Sequence, residues 1–247
     1  MGILKLRGIV IKEENSGESG KKITILAKDE GKLLLSARGA KNAKSKFMAS
    51  SQLFVYSDFV VFEGKGFLSV TQSEVIESFY PLRENIESLY AAAYFADIIE
   101  KTTLLGMEAN DVLKLLLKSL VILSKPESSV FFVYVVFKLK YLCLLGFMPD
   151  IFECKKCKKA LSDIYFDADG GFLCENCGSE KKVSKAALSA LSYIFSADIK
   201  NLYSFKAPEE IVVELEEISC ILYLIYVDEK VKSEEFLREL LGIRSKT

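Results

Sequence analysis

Short runs of apolar and β-branched residues, separated by Gly, Asn and Ser, fill the first 80 positions of the chain. Such runs favour strands, and the small residues between them favour turns. The pattern predicts five strands, over residues 4–12, 22–28, 32–37, 53–63 and 67–77. A Gly-Lys-Gly turn joins the last two, and the longest gap, residues 38–52, separates the third strand from the fourth. Five strands in this length predict the small barrel of the OB fold.

From Pro81 onward the apolar residues recur at helical spacing. The pattern predicts helices through residues 86–98, 109–124, 129–145, 186–195, 209–227 and 233–242, with Ser184 and Ser233 as N-caps. The helix over 129–145 is apolar on nearly every side, as expected of a central core helix. The predicted fold class is therefore α+β, with an N-terminal five-stranded OB-fold β-barrel over residues 1–80 and an all-α helical domain over residues 81–247.

Charge is unevenly distributed, although the formal net charge of the chain is only -1. Residues 1–80 contain 12 basic and 9 acidic residues, whereas the remainder is net acidic. Between residues 31 and 57 there is no acid, and the five cations there are Lys32, Arg38, Lys41, Lys44 and Lys46. Spaced cations on a flexible loop can follow a phosphate backbone without reading bases, so these residues are the predicted DNA-binding site. A solvated loop without a partner is the alternative.

Aromatic residues near this loop are candidates for stacking on nucleic-acid bases. They are Phe47, Phe54, Tyr56 and Phe67. Because strand aromatics in a small barrel more often belong to the core, the pattern leaves their role open.

Four cysteines form two Cys-x-x-Cys pairs, Cys154 with Cys157 and Cys174 with Cys177, separated by 16 residues. This spacing is typical of a four-cysteine zinc site, in which each pair directs two thiolates at one ion. An Asp-Gly-Gly turn between two apolar runs predicts a hairpin that brings the pairs together. Four sulfur ligands leave no position for water, so one structural Zn²⁺ is predicted, in an insertion over residues 150–182 of the helical domain. An iron–sulfur cluster, a redox dithiol and free thiols are the alternatives.

Several kinds of chemistry lack their usual residues. The sequence has no histidine, which removes the commonest general base, and it contains neither GxxxxGK[ST] nor GxGxxG. A non-enzymatic protein is therefore predicted, and an enzyme that uses zinc or carboxylates is the alternative. Cys143 and Cys220 lie in apolar helical runs and are interpreted as inert buried thiols.

Two apolar segments are candidates for a membrane span. Residues 130–145 are interrupted by lysines, and residues 218–227 are too short. We interpret both segments as core helices. The first residues, MGILKLRGIVIK, carry no cleavable leader and no myristoylation signal. A cytoplasmic location is expected.

The chain as a whole resembles the bacterial RecO family of recombination mediators. The resemblance rests on RGIVIKEENSGES from Arg7, ITILAKDEGKLLLSARGAKNAKSKF from Ile23, FEGKGFLSVTQSEVIESF from Phe62, and the cysteine segment with its YFDADGG. It covers nearly the whole sequence. Two positions depart from the family's usual pattern: Lys46 stands where the family often has Arg, and Leu53 where a Pro often precedes the phenylalanine. Lysine keeps the charge at position 46 but lacks the planar fork of arginine.

The resemblance implies an OB domain that binds single- and double-stranded DNA, joined to a helical bundle with an inserted zinc module. It implies that the protein anneals complementary strands and, with RecR, assists RecA loading onto DNA coated by single-strand-binding protein, at the nucleoid. It carries the family's basic loop onto Arg38, Lys41, Lys44 and Lys46, and its metal ligands onto the four cysteines of the two pairs. The pocket for the tail of single-strand-binding protein is not located by the sequence.

A second class of function shares the barrel and the cysteines. An RNA-associated OB-fold and zinc-ribbon protein would also need a basic loop, but it would prefer RNA through contacts with the 2′-hydroxyl. Oligonucleotides of one sequence, as RNA and as DNA, distinguish the two classes.

Overall fold

A computed structural model describes residues 2–161, 163–178 and 181–243 of the chain. The described residues form two compact units. One comprises the described parts of Met1–Pro126 and Val231–Thr247, and the other those of Glu127–Lys230. Residues 162, 179 and 180 of the predicted insertion, and residues 244–247 of the predicted helical domain, lie outside the described residues.

The first unit begins with a closed barrel of five strands. They are β1 (Gly2–Ser16), β2 (Gly20–Ala27), β3 (Gly31–Ala37), β4 (Tyr56–Gly64) and β5 (Phe67–Glu77). β1 pairs antiparallel with both β2 and β4, and a parallel pairing of β3 with β5 closes the barrel. The order β1-β2-β3-β5-β4 confirms the predicted OB-fold barrel.

Most strand ends lie within two residues of the prediction, but the end of β1 and the beginning of β4 differ by more. β1 continues to Ser16, which pairs with Gly20, so that the connection to β2 is a tight turn instead of a long polar loop. β4 begins at Tyr56 and not at residue 53, because Phe54 has a φ of 69° and a strand cannot pass through the left-handed region.

Within the described residues, six α-helices follow the barrel. They are α1 (Ile86–Thr102), α2 (Asn110–Leu123), α3 (Val130–Leu144), α4 (Lys185–Ser196), α5 (Glu209–Tyr226) and α6 (Lys232–Leu240). Three short strands, β6 (Ile164–Phe166), β7 (Phe172–Cys174) and β8 (Lys181–Val183), form a small sheet before α4. None of the helices described here has the length and apolarity needed to cross a membrane.

The two predicted serine caps have different outcomes. Ser184 is the N-cap of α4, where its hydroxyl accepts a 3.0 Å hydrogen bond from the Ala187 N–H. The prediction for Ser233 is wrong: α6 is preceded by Val231, which makes no side-chain cap, and Ser233 lies inside the helix. Its hydroxyl instead donates to Asp97 Oδ2 of α1 at 2.5 Å.

α3 is the central helix of the second unit, as its apolar sequence predicts. Both of its lysines are buried. Lys140 Nζ donates to the carbonyl oxygens of Phe195 and Ala197 at 3.0 and 2.8 Å, at the C-terminal end of α4. A cation there stabilises the carbonyls that have no partner within the helix.

Candidate metal centre and candidate nucleic-acid interface

The four cysteines of the two pairs lie together. Their Sγ atoms are all within 4.8 Å of one another, and those of Cys157 and Cys174 are 3.6 Å apart. Tetrahedral zinc with Zn–S bonds of about 2.3 Å needs sulfur atoms roughly 3.8 Å apart. The four cysteines therefore lie close enough to hold one metal ion, with the donor set that zinc prefers in structural sites.

Each pair is shaped by the same turn. The N–H of Lys158 donates to the carbonyl of Cys154, and the N–H of Gly178 donates to the carbonyl of Cys174, both at 2.9 Å. The β6–β7 hairpin brings the second pair to the first, and its turn is closed by Asp167, which accepts from the Gly171 N–H at 2.7 Å. The predicted hairpin between the pairs is confirmed.

Gly178 is a residue of this site that the sequence reasoning missed. A Cβ at this position would lie 2.6 Å from Cβ of Tyr165 and 2.9 Å from Cβ of Leu173. Only glycine allows the second turn to pack this closely on the hairpin. A glycine directly after the second pair was the available signal.

The thiols are unequal before any ion is considered. The backbone N–H of Cys157 is hydrogen-bonded to the Cys154 sulfur and is the largest cause that lowers the pKa of Cys154 to about 6. Hydrogen bonds with the sulfurs of Cys157 and Cys174 raise the pKa of Cys177 to about 12. A bound divalent cation would remove this difference in pKa between the thiols, because a coordinating thiol is deprotonated outright. The cluster suits a cation better than four free thiols.

The loop between β3 and β4 exposes Arg38, Lys41, Lys44 and Lys46. No ion pair of these four side chains with a described residue is found. Arg7 of the barrel, by contrast, is engaged: its Nε and Nη2 atoms donate to the carboxylate of Asp58, at 2.7 and 2.8 Å, and thereby lower the pKa of that carboxyl. The loop cations thus remain available to an anion.

Several contacts anchor this loop to the barrel. The backbone N–H of Lys41 donates to the carbonyl of Ser19 in the β1–β2 turn at 2.9 Å. Phe47 packs in the barrel core. Further along, the hydroxyls of Ser50 and Ser73 are 2.7 Å apart. A loop held in this way presents its cations in a defined arrangement.

Lys32 lies apart from the other predicted DNA contacts. It is 9% exposed, and its ammonium donates to the carbonyl of Glu100 in the last turn of α1. Strand alternation cannot reveal such a partner, which is 68 residues away in sequence.

The candidate aromatic residues divide into two groups. Phe47 and Phe54 are buried, at 9% and 1% exposure, and Tyr56 is partly buried. Phe67 is 46% exposed, and its ring lies 6.4 Å from that of Phe62, which was not among the candidates.

An OB barrel with a basic loop, followed by helices and by a four-cysteine cluster in the segment between α3 and α4, defines the class of protein to which this chain belongs. Residues 1–79 match the family model described as Recombination protein O N terminal, and residues 83–235 match Recombination protein O C terminal. The chain therefore belongs to the RecO family of DNA repair proteins, which confirms the resemblance seen in its sequence.

Curated relatives align with this chain over nearly their full length. The DNA repair protein RecO of Acetivibrio thermocellus is 40% identical over 225 residues, which cover 89% of this chain and 90% of that protein. The RecO protein of Caldicellulosiruptor saccharolyticus is 29% identical over 96% of this chain and 99% of its own length. That of Bacillus pumilus is 28% identical over 98% and 96%.

Proposed function

We propose that this chain is a non-enzymatic recombination mediator that binds single- and double-stranded DNA through the loop between β3 and β4. Four exposed cations on an anchored loop, Arg38, Lys41, Lys44 and Lys46, are the observation that carries the proposal. Phosphate contacts of this kind fix a strand on the protein without reading its sequence. Lys32 is buried, so its contact with DNA stays a prediction and the proposal does not depend on it.

Holding two complementary strands by their phosphates leaves their bases free to pair. The protein accordingly anneals complementary single strands and, with RecR, assists RecA loading onto DNA coated by single-strand-binding protein. Binding free energies drive these steps, and no chemical step is needed. The cellular site of this work is the nucleoid in the cytoplasm.

The four-cysteine cluster holds one structural Zn²⁺ in this proposal. Cys154, Cys157, Cys174 and Cys177 supply all four ligands, and the ion supplies positive charge that fixes the thiolates in one place. The β6–β7 hairpin orients the ligands, of which Cys154 and Cys174 are buried and Cys157 is exposed. Four sulfur ligands would leave no coordination position for water. Its effect is on the fold of the second unit, not on catalysis.

Charge reversal on the loop tests the proposal. We expect Lys41→Glu, Lys44→Glu and Lys46→Glu together to slow annealing of unrelated complementary sequences to a similar extent, because phosphate contacts do not depend on sequence. The measurement is the annealing rate of labelled strands, with and without single-strand-binding protein.

A matched triple variant serves as the control. Lys125, Lys200 and Lys232 are exposed and lie outside the loop, so changing all three to Glu alters the net charge equally. If both triple variants anneal strands at the parent rate, the loop is a solvated segment and the proposal is wrong. Tighter binding to RNA than to DNA of the same sequence would favour an RNA-associated function.

A further inference from the structure

An exposed aromatic pair lies on the outer surface of the barrel beside the β4–β5 turn. Phe62 and Phe67 are 37% and 46% exposed, and their rings are inclined at 48°. They come from the two strands that meet at this turn, where Gly64 pairs with Phe67. Neighbouring exposed apolar side chains that are rimmed by polar residues mark interaction sites.

The ring of Phe67 is held in place by the backbone beneath it. A Cβ on Gly64 would lie only 2.3 Å from Cζ of Phe67, so the ring covers the Gly64 Cα directly. The exposed part of the side chain is therefore its opposite face and edge. A flat ring fixed in this way loses little conformational entropy when a second flat group stacks on it.

Strand pairing connects this ring to the basic loop. Leu35 of β3 is opposite Leu68 of β5, and both pack in the barrel interior, so Leu34 and Phe67 share the outer surface. Leu34 is 48% exposed. Arg38, the first cation of the loop, follows Leu34 by four residues, which is about 13 Å along a strand.

The surface between the ring and the loop suits an anionic chain. Ser36 and Ser69 are paired across β3 and β5 and lie on this path. Neither β3 nor residues 67–73 of β5 contain an acidic residue, and the exposed Lys65 adds a cation in the turn. OB folds engage about 4–16 nucleotides, so a single strand bound at the loop is long enough to reach Phe67.

We propose that Phe67, flanked by Phe62 and Leu34, is a stacking platform for the unpaired bases of single-stranded DNA. The inference rests on the proposed function, because the loop must bind the same strand. Stacking on an aromatic ring tolerates any base, since every base has a π-face. Bases inside a duplex cannot reach the ring, so the platform favours single strands. It therefore releases the annealed duplex once the two strands have paired.

The absence of tryptophan from the chain allows a direct test. Phe67→Trp places a single indole at the platform, and Tyr80→Trp places one at a 62% exposed control position beyond the end of β5. Each variant is titrated with oligo(dT) and with a duplex, while anisotropy of a labelled strand reports binding independently. We expect quenching of Phe67→Trp that follows the binding curve of the single strand. Tyr80→Trp, and either variant with duplex, should show none.

Binding of the labelled strand without quenching of Phe67→Trp overturns the platform and leaves the proposed function intact. Absence of any strand binding overturns both. A second variant, Phe67→Leu, keeps an apolar side chain without a π-face and should bind single strands at least about 5-fold more weakly, with duplex binding unchanged. Single-strand binding equal to the parent would assign this surface to apolar contact with a protein and contradict the platform.

Discussion

Single residues of this chain take their roles from partners distant in sequence. Lys32 and Lys140 are both lysines in apolar surroundings, and each donates its ammonium to carbonyl oxygens at the end of a helix. Burying an ammonium is tolerated only when hydrogen bonds replace its hydration. Charge counted along the sequence therefore overstates the number of cations that can meet DNA.

Lys140→Met tests this role at the residue scale. The substitution keeps the apolar stem but leaves the carbonyls of Phe195 and Ala197 without their donor, which should cost about 1–3 kcal/mol in the free energy of unfolding. Urea unfolding of the variant measures this cost. Lys200→Met, at an exposed lysine, is the control and should change stability by no more than about 0.5 kcal/mol. Equal stability of the two variants would show that the cap at α4 contributes nothing.

At the scale of elements, pattern and spacing predict the barrel and the cysteine hairpin because both depend on local signals. Strand alternation gives β1 to β5, and the two pairs with their intervening Gly-Gly turn give the hairpin. The beginning of β4 could not be predicted, because Phe54 is a buried aromatic residue with a left-handed φ, and left-handed φ is expected of glycine and not of phenylalanine. Nor could the sequence show that Ser233 bonds Asp97 instead of capping α6.

One of the candidate sites could be predicted from the sequence and the other could not. The four cysteines could be placed together from their spacing alone. The stacking surface could not be predicted from the sequence. The exposure of Phe62 and Phe67 depends on which face of the barrel is covered, and the alternation of apolar and polar residues does not reveal which face that is. Gly178 and Gly64 matter through close approaches of Cβ positions that only the folded chain defines.

Replacing one of the four cysteines tests whether a bound metal stabilises the β6–β7 hairpin. Cys157→Ser should abolish stoichiometric zinc and lower the unfolding temperature, because structural zinc contributes on the order of 10 kcal/mol of apparent binding free energy. Elemental analysis and thermal unfolding of the purified variant measure both effects. Cys143→Ser, outside the cluster, should keep one zinc per chain. A Cys157→Ser protein with full zinc content and the parent unfolding temperature would contradict a structural metal.

At the scale of the whole molecule, the RecO family membership, the barrel and the loop cations support the proposed binding of DNA by contact with phosphates. The overall charge of -1 does not oppose this, since the loop itself carries four cations and no acidic residue. At separations beyond a Debye length of about 8 Å at physiological ionic strength, acidic residues elsewhere are largely screened. In the proposed function, local charge on the loop therefore decides where DNA binds.

The salt dependence of single-strand binding tests this central claim most directly. Each cation that meets a phosphate contributes about -0.7 to the slope of log affinity against log salt concentration on single strands. Neutralising Lys41, Lys44 and Lys46 to Gln should therefore flatten the slope by roughly 2, whereas the same changes at Lys125, Lys200 and Lys232 should leave it unaltered. A loop variant with the parent slope would contradict the account, because its DNA phosphates would then lie elsewhere on the protein.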